Sequence, residues 1–188
     1  MKRHRMQQAD DILDFWFGPV PVERPEWFRA DPAFDREIAE RFGPLIESAL
    51  AGGLDGWADT PRGALARLLV LDQFTRNAFR GTPRAFAGDP QALAGARRMV
   101  QQGQDEALPT TQRVFVYLPF EHAEDIEAQR EAMRHFARDA ALADQAQWAR
   151  KHHDVIERFG RFPHRNAILG RASTPEEIEF LKQPGSRF

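Results

Sequence analysis

The chain has 188 residues and a mass of 21.5 kDa, room for one domain and at most a small second one. Its 26 basic and 28 acidic side chains leave a net charge of -2, which excludes a nucleic-acid or membrane-surface binder that works by bulk charge. Cysteine is absent, and with it disulfides, thiolate nucleophiles, zinc fingers and iron–sulfur ligation. No apolar run approaches the ~20 residues of a membrane span. The basic start Met1-Lys2-Arg3-His4-Arg5 is followed by Gln7, Gln8, Asp10 and Asp11, where a signal peptide would have its apolar core. A cytoplasmic protein is expected.

The pattern is helical nearly throughout. Asp10 to Phe17 reads as a short amphipathic helix stopped by Gly18-Pro19, and residues 18–30 as a Pro-rich connection carrying Trp27-Phe28. Asp31-Pro32 is an N-cap followed by Pro at the first helical position, and Phe34, Ile38, Phe42, Leu45 and Ile46 recur from there at helical spacing. Gly43-Pro44 should kink or break this helix, because Pro44 lacks an N–H and crowds the carbonyl four residues back. Thr60-Pro61 starts a helix that Leu65, Leu68, Leu69, Val70 and Leu71 make apolar on several sides, the expected central element. Asp89-Pro90 starts the next, which stops at Gly103. A short helix from about Thr111 to Leu118 should break at Pro119, a long one should follow to about Ala140, and another should run from about Asp144 to Phe159 with Trp148 inward. Thr174-Pro175-Glu176-Glu177 forms a reciprocal capping box for a short last helix. Strand signals are nearly absent, with Val-Phe-Val-Tyr at 114–117 the only competitor. The expectation is an all-α fold of roughly eight helices paired as antiparallel hairpins. It forms a single helical domain over residues 10–182, between a flexible tail at 1–9 and a C-terminal tail at 183–188.

Polar residues on faces that should be apolar carry the chemical signal. His122 shares a stripe with Ile126, Gln129 and Met133. His152 sits between Trp148 and Val155-Ile156, and Asp72 continues the Leu65, Leu68, Leu69 stripe with Arg76 one turn later. Burying such groups without partners costs ~1–3 kcal/mol for a neutral one and more for a charge, so they satisfy one another or face a wet cavity. For each residue taken singly the plainer reading is structural, and Asp72–Arg76 is an i, i+4 ion pair in that reading. Phe74-Thr75-Arg76-Asn77-Ala78 is echoed by Phe162-Pro163-His164-Arg165-Asn166-Ala167, either two similar helix stops or two Arg–Asn turns facing one site. Arg158, Arg161, Arg165 and Arg171 crowd around His164. Their forks suit carboxylate or phosphate, or else pair with Glu121, Glu124 and Asp125. An excess of Arg over Lys, 23 against 3, also follows from a GC-rich genome and is not itself a site.

Glu121, His122, Glu124, His152 and His164 are oxygen and nitrogen donors, but no HExxH or paired ExxH spacing is present, so no metal and no cofactor is expected. No P-loop or dinucleotide fingerprint occurs, and Ser48, Ser173 and Ser186 sit in no nucleophile elbow. His4, His135 and His153 read as surface or tail.

Several of these motifs together resemble a bacterial family. Asp72-Gln73-Phe74-Thr75-Arg76-Asn77, Leu118-Pro119-Phe120-Glu121-His122-Ala123-Glu124 and Phe159-Gly160-Arg161-Phe162-Pro163-His164-Arg165-Asn166, with Leu169-Gly170-Arg171 after, look like the family called domain of unknown function 924. Leu13-Asp14-Phe15-Trp16-Phe17-Gly18 and Trp27-Phe28 fit as well. The resemblance covers about residues 10 to 182. It implies helix hairpins stacked as a tetratricopeptide-like α-α superhelix, and it implies no activity. The chain departs from the family pattern at Thr75, where Pro is usual, and at Ala123, where Ser is usual.

The leading expectation is a helical domain that binds a small anionic molecule or a peptide end. Its site would be built by Asp72, Arg76, Asn77, Glu121, His122, His152, Arg161, His164, Arg165 and Asn166. An enzyme, a hydrolase or a metal-assisted one, would use the same groups with His122 or His152 as general base. A protein-interaction scaffold would instead present an exposed groove. Neither nucleic acid nor membrane is an expected partner, and the oligomeric state is left open.

Overall fold

Local chemistry starts and stops most of the helices in the computed structural model, which describes residues 2–19 and 23–187. Residues 20–22 of the Pro-rich connection and the His4 side chain lie outside the described ones. The structure is all-helical, with no strand among the described residues. Two compact units are distinguished, Met1–Arg80 with Arg84–Pro119, and Gly81–Pro83 with Phe120–Phe188.

The first unit begins with α1 (Lys2–Phe17), which starts upstream of the amphipathic stretch. Gly18 (φ 67) ends it, and Arg24 donates to the Phe15 carbonyl while Trp27 Nε1 donates to that of Trp16, so orphan carbonyls of its last turn are covered. In α2 (Pro32–Leu50) Asp31 accepts from the Ala33 and Phe34 N–H groups. This helix runs through Pro44 instead of breaking. Pro44 and Glu40, whose carbonyl loses its donor, are both exposed, so that carbonyl is left on the solvent side while Phe42 and Ile46 hold the buried side. Thr60 caps α3 (Pro61–Leu68), which continues as a π-helical segment (Leu69–Phe74) into α4 (Thr75–Ala78). Every residue of that π segment is buried. Then come α5 (Asp89–Gln101) and α6 (Thr110–Glu121), and the boundary between the units falls at Pro119 inside α6. In this unit α3 packs on α1 and α5, and α2 packs on α4 and the π segment. The core is aromatic. Trp16 lies 5.7 Å from Phe74 and 5.6 Å from Phe115, and Phe15 stacks on Phe34 at 5.3 Å. Such pairs contribute about 0.5–1.5 kcal/mol each beyond their burial.

The second unit holds α7 (Ile126–Phe136), α8 (Ala143–Phe159) and α9 (Pro175–Leu181). Asp125 caps α7, and Gly160 (φ 69) ends α8. Thr174 and Glu177 form the capping box of α9. Helices α7 and α8 pack side by side, and Val155, Ile156 and Phe162 form a core with Ile126, Phe159 and Phe180 against it.

Further expectations differ from the structure. The helix over 110–121 passes through Pro119. α7 stops at Phe136, because the Asp139 side chain caps a new 3-10 turn at Ala140–Leu142. Trp148 is 51% exposed, and Lys151 sits over its ring. The inward face of α8 is set instead by Ala149, His152, His153, Val155 and Ile156. His135 and His153 are buried rather than at the surface, and His135 lies edge-on to Phe120 at 4.9 Å.

Candidate functional site

The ten expected site residues divide between the units, Asp72, Arg76 and Asn77 in the first and the other seven in the second. In the first unit the π segment turns Asp72 inward, where it is 1% exposed. Thr75 donates its hydroxyl to the Leu71 carbonyl at 2.8 Å, and Gln73 donates to Asp72 at 2.6 Å. Gly88 lets the start of α5 pass against this segment, since a Cβ there would lie 2.1 Å from the Leu71 carbonyl oxygen. That approach delivers Asp89 to Arg76. The guanidinium forks Asp89 at 2.7 and 3.1 Å and meets Asp72 at 3.0 Å. Burial alone would lower the Arg76 pKa, but the two carboxylates raise it above its ordinary value. Arg76 is thus held by acids on both sides.

Asn77 and Arg80 share one carboxylate. Asn77 donates to Asp35 at 2.7 Å, and Arg80 forks the same group at 2.6 and 2.9 Å. Burial pushes the Asp35 carboxyl up, and these donors hold it below its usual range.

The second unit repeats the device. Arg161 forks Glu177 at 2.7 and 2.8 Å, and Asn166 donates to Glu177 at 3.2 Å. Arg161, with the Thr174 N–H and Asn166 behind it, brings the Glu177 carboxyl down to about 2. The asparagines of the two echoed stretches, Asn77 and Asn166, thus each share one carboxylate with an arginine outside the echo, Arg80 and Arg161, while the echo's own arginines differ, Arg76 going to Asp72 and Asp89 and Arg165 to the His122 carbonyl.

Glu124 ties the loop after α8 together. It accepts from the Phe162 N–H at 2.7 Å and from Arg171 at 2.6 and 2.8 Å, while Arg171 also donates to Asn166. Burial raises the Glu124 carboxyl, and Arg171 with the Phe162 N–H brings it below its ordinary value. Arg161, Asn166 and Arg171 are thus engaged in holding the 160–177 segment.

Phe162 is the hub of what remains, fully buried with three polar side chains around its ring. His152 lies edge-on at 5.6 Å, His164 at 5.6 Å and the Arg165 guanidinium at 4.6 Å. Arg165 donates to the His122 carbonyl at 3.0 Å. His122 is placed by the turn after α6, which the buried Gln129 of α7 closes by donating to the Glu121 and Ala123 carbonyls at 2.6 and 2.8 Å. His152 Nδ1 lies 2.9 Å from the Trp148 carbonyl and 3.2 Å from Glu121 Oε1. Two acceptors at one nitrogen assign the proton to Nδ1 and the lone pair to Nε2.

Burial, joined by the charges of His122, His164 and Arg165, drops His152 to about 3. Burial and Arg165 drop His164 to about 4. Both imidazoles are neutral near pH 7. Glu121, His122, His152, His164 and Arg165 are thus gathered in one place, with Glu124 and Arg171 behind them.

Sequence reasoning passed over Phe162 as the organising ring and Glu177 as anything beyond a cap. The capping box was a signal for one oxygen of Glu177, and nothing local marks the other. Among the described residues, the three-membered group of potential metal ligands is His153, Asp154 and Glu157 on α8, none of which belongs to this cluster. No helix among the described residues is long and apolar enough to cross a membrane.

A solved structure of a protein of unknown function from Agrobacterium tumefaciens, ATU0120, is 43% identical to the chain. The match covers 94% of this chain and 98% of that one with a TM-score of 0.86. No curated protein matches it. The family model described as bacterial protein of unknown function (DUF924) matches residues 12–185, and the chain therefore belongs to that family.

Proposed function

We propose that the second unit binds a small anion, a phosphate or carboxylate, at the cluster of His122, His152, His164 and Arg165 around Phe162. One observation carries the reading. Arg165, whose charge joins burial in lowering His152 and His164, is a fixed cation in this cluster, and its positive charge is what attracts an anion. Arg165 is 6% exposed and stacked on Phe162, a rigid donor rather than a waving surface charge. The first-unit residues Asp72, Arg76 and Asn77 read as a structural ion network in this proposal.

A second reading has its own observation, the contact between Glu121 and His152 Nδ1 at 3.2 Å. A carboxylate at Nδ1 leaves Nε2 as the basic nitrogen, the arrangement of a general base.

Titration calorimetry with inorganic phosphate, acetate and citrate tests both. Binding is expected for the wild type, with loss of at least about tenfold in affinity (about 1.4 kcal/mol) in Arg165→Ala and partial recovery in Arg165→Lys. Equal affinities in wild type and Arg165→Ala, with both folded by circular dichroism, defeat the assignment. Turnover of a phosphate or carboxylate ester that disappears in His152→Gln selects the second reading. Binding without turnover selects the first.

A further inference from the structure

In the first unit, a small recess lies where α3, α5 and the turn at Asp55–Asp59 meet, with Gln104 just beyond α5. It is lined by Ala58, Ala64, Arg67, Leu68, Gly95 and Gln104, among others, and gives about 10 Å³ for the centre of a water-sized sphere. That is room for about one guest the size of a water molecule.

Two polar atoms at this recess are buried without a hydrogen-bond partner, Arg67 Nε and Gln104 Oε1. One other nitrogen of each side chain is engaged. Arg67 reaches Asp55 through Nη2 at 2.8 Å, and Gln104 Nε2 reaches the Ala58 carbonyl at the long distance of 3.4 Å. The first orphan is an obligate donor. The second is an acceptor, because turning the amide over would set its oxygen against the Ala58 carbonyl.

We infer that this recess is a binding site for one structural water molecule, which accepts from Arg67 Nε–H and donates to Gln104 Oε1 and the Ala58 carbonyl. Three partners are what a buried water typically has. A halide suits Arg67 and the neighbouring Arg98, but it would lie against the lone pairs of Gln104 and Ala58. A cation is repelled by both guanidiniums.

Gly95 supports the assignment independently. It lies inside α5, where glycine weakens a helix relative to alanine. A Cβ at this position would come within 3.0 Å of both Arg67 Nη1 and Leu68 Cδ2, on the wall of the recess. Glycine keeps the recess open. The bound water would join α3 through Arg67 to the turn after α5, where Gly103 (φ 66) reverses the chain and Gln104 N–H bonds the Met99 carbonyl at 2.9 Å.

The test is a crystal structure of the full chain grown with bromide and measured at the bromine edge. A spherical density peak within hydrogen-bond reach of Arg67 Nε and Gln104 Oε1, without anomalous signal, is the expected result. An anomalous peak makes the guest a halide and overturns the inference, as does flat density. A second measurement needs no crystal. Gly95→Ala should lower the melting temperature by about 2–4 °C, because the added methyl displaces the water and leaves both atoms dry. A rise, as helix propensity alone would give, also overturns it.

Discussion

Single residues in this protein act mostly through shared carboxylates. Glu124 accepts three charge-assisted or main-chain bonds, from Phe162 N–H and from both ends of the Arg171 fork. Its removal therefore releases the loop that carries Phe162, and with it the ring on which Arg165 rests. Glu124→Gln keeps an oxygen for the Phe162 N–H but turns an amide N–H toward Arg171. The pair is only about three-quarters covered, so solvent screens part of the loss. A destabilisation of about 2 kcal/mol is expected, measured by urea denaturation. Combined with Arg171→Ala, the two changes should cost less than their sum, because each alone already breaks the same contact. Strict additivity would show that Glu124 and Arg171 do not act together.

At the scale of elements, the turn between α6 and α7 depends on one side chain. Gln129 is fully buried and gives its amide N–H groups to the carbonyls of Glu121 and Ala123, which α6 leaves unsatisfied at its end. Gln129→Leu keeps the volume and removes the donor, at an expected cost of about 1–3 kcal/mol. Gln129→Glu should cost more, since an oxygen then faces the carbonyls. Urea midpoints of the two variants check the order, and a leucine variant as stable as wild type would mean that water caps this helix. The helix starts at Asp31, Thr60, Asp125 and Thr174 are the part of the fold most open to reading. The capping side chain and the N–H it meets lie within three residues, so local sequence holds the whole interaction. Asp125, expected as a partner for arginine, is instead the cap of α7. Trp148 shows where periodicity fails. A straight-helix stripe placed it inward, yet the face of α8 that packs on α7 runs through Ala149, and a large ring is tolerated outside under Lys151. The inward places of Asp72 and His152 were legible as interruptions of apolar stripes. Their partners were not. Arg171 meets Glu124 across 47 residues and Asn77 meets Asp35 across 42, and no local pattern encodes which acid a given arginine will find. The π segment itself was not legible, because all of Leu69–Phe74 is buried and no local pattern marks a wider turn there.

For the whole molecule, the consequence of this wiring is a stability that falls in acid, beginning at a higher pH than carboxylates alone would set. His152 and His164 have an ordinary value of 6.5 in the unfolded chain and about 3 and about 4 in the folded one. Their folded values are depressed, so between those limits the unfolded chain binds protons that the folded chain refuses. The stability these groups contribute is present above about pH 6.5 and drains as the pH falls, at up to about 1.4 kcal/mol per pH unit for each imidazole. Glu177 adds a second stage. Its folded carboxyl sits at about 2 against an ordinary 4.5, so its contribution is lost only in the more acidic range, and Glu124 follows the same direction. Urea denaturation at about pH 7 and about pH 5 should show a clear drop in stability, and His164→Gln should reduce that drop by close to one proton's share. Saturating phosphate should flatten the same slope if the anion lies at the Phe162 cluster. Its negative charge would raise the folded-state values of both imidazoles and narrow the gap to the unfolded chain. Equal stability at the two pH values would show that His152 and His164 titrate normally in the folded protein, and would remove the electrostatic ground for an anion at this cluster.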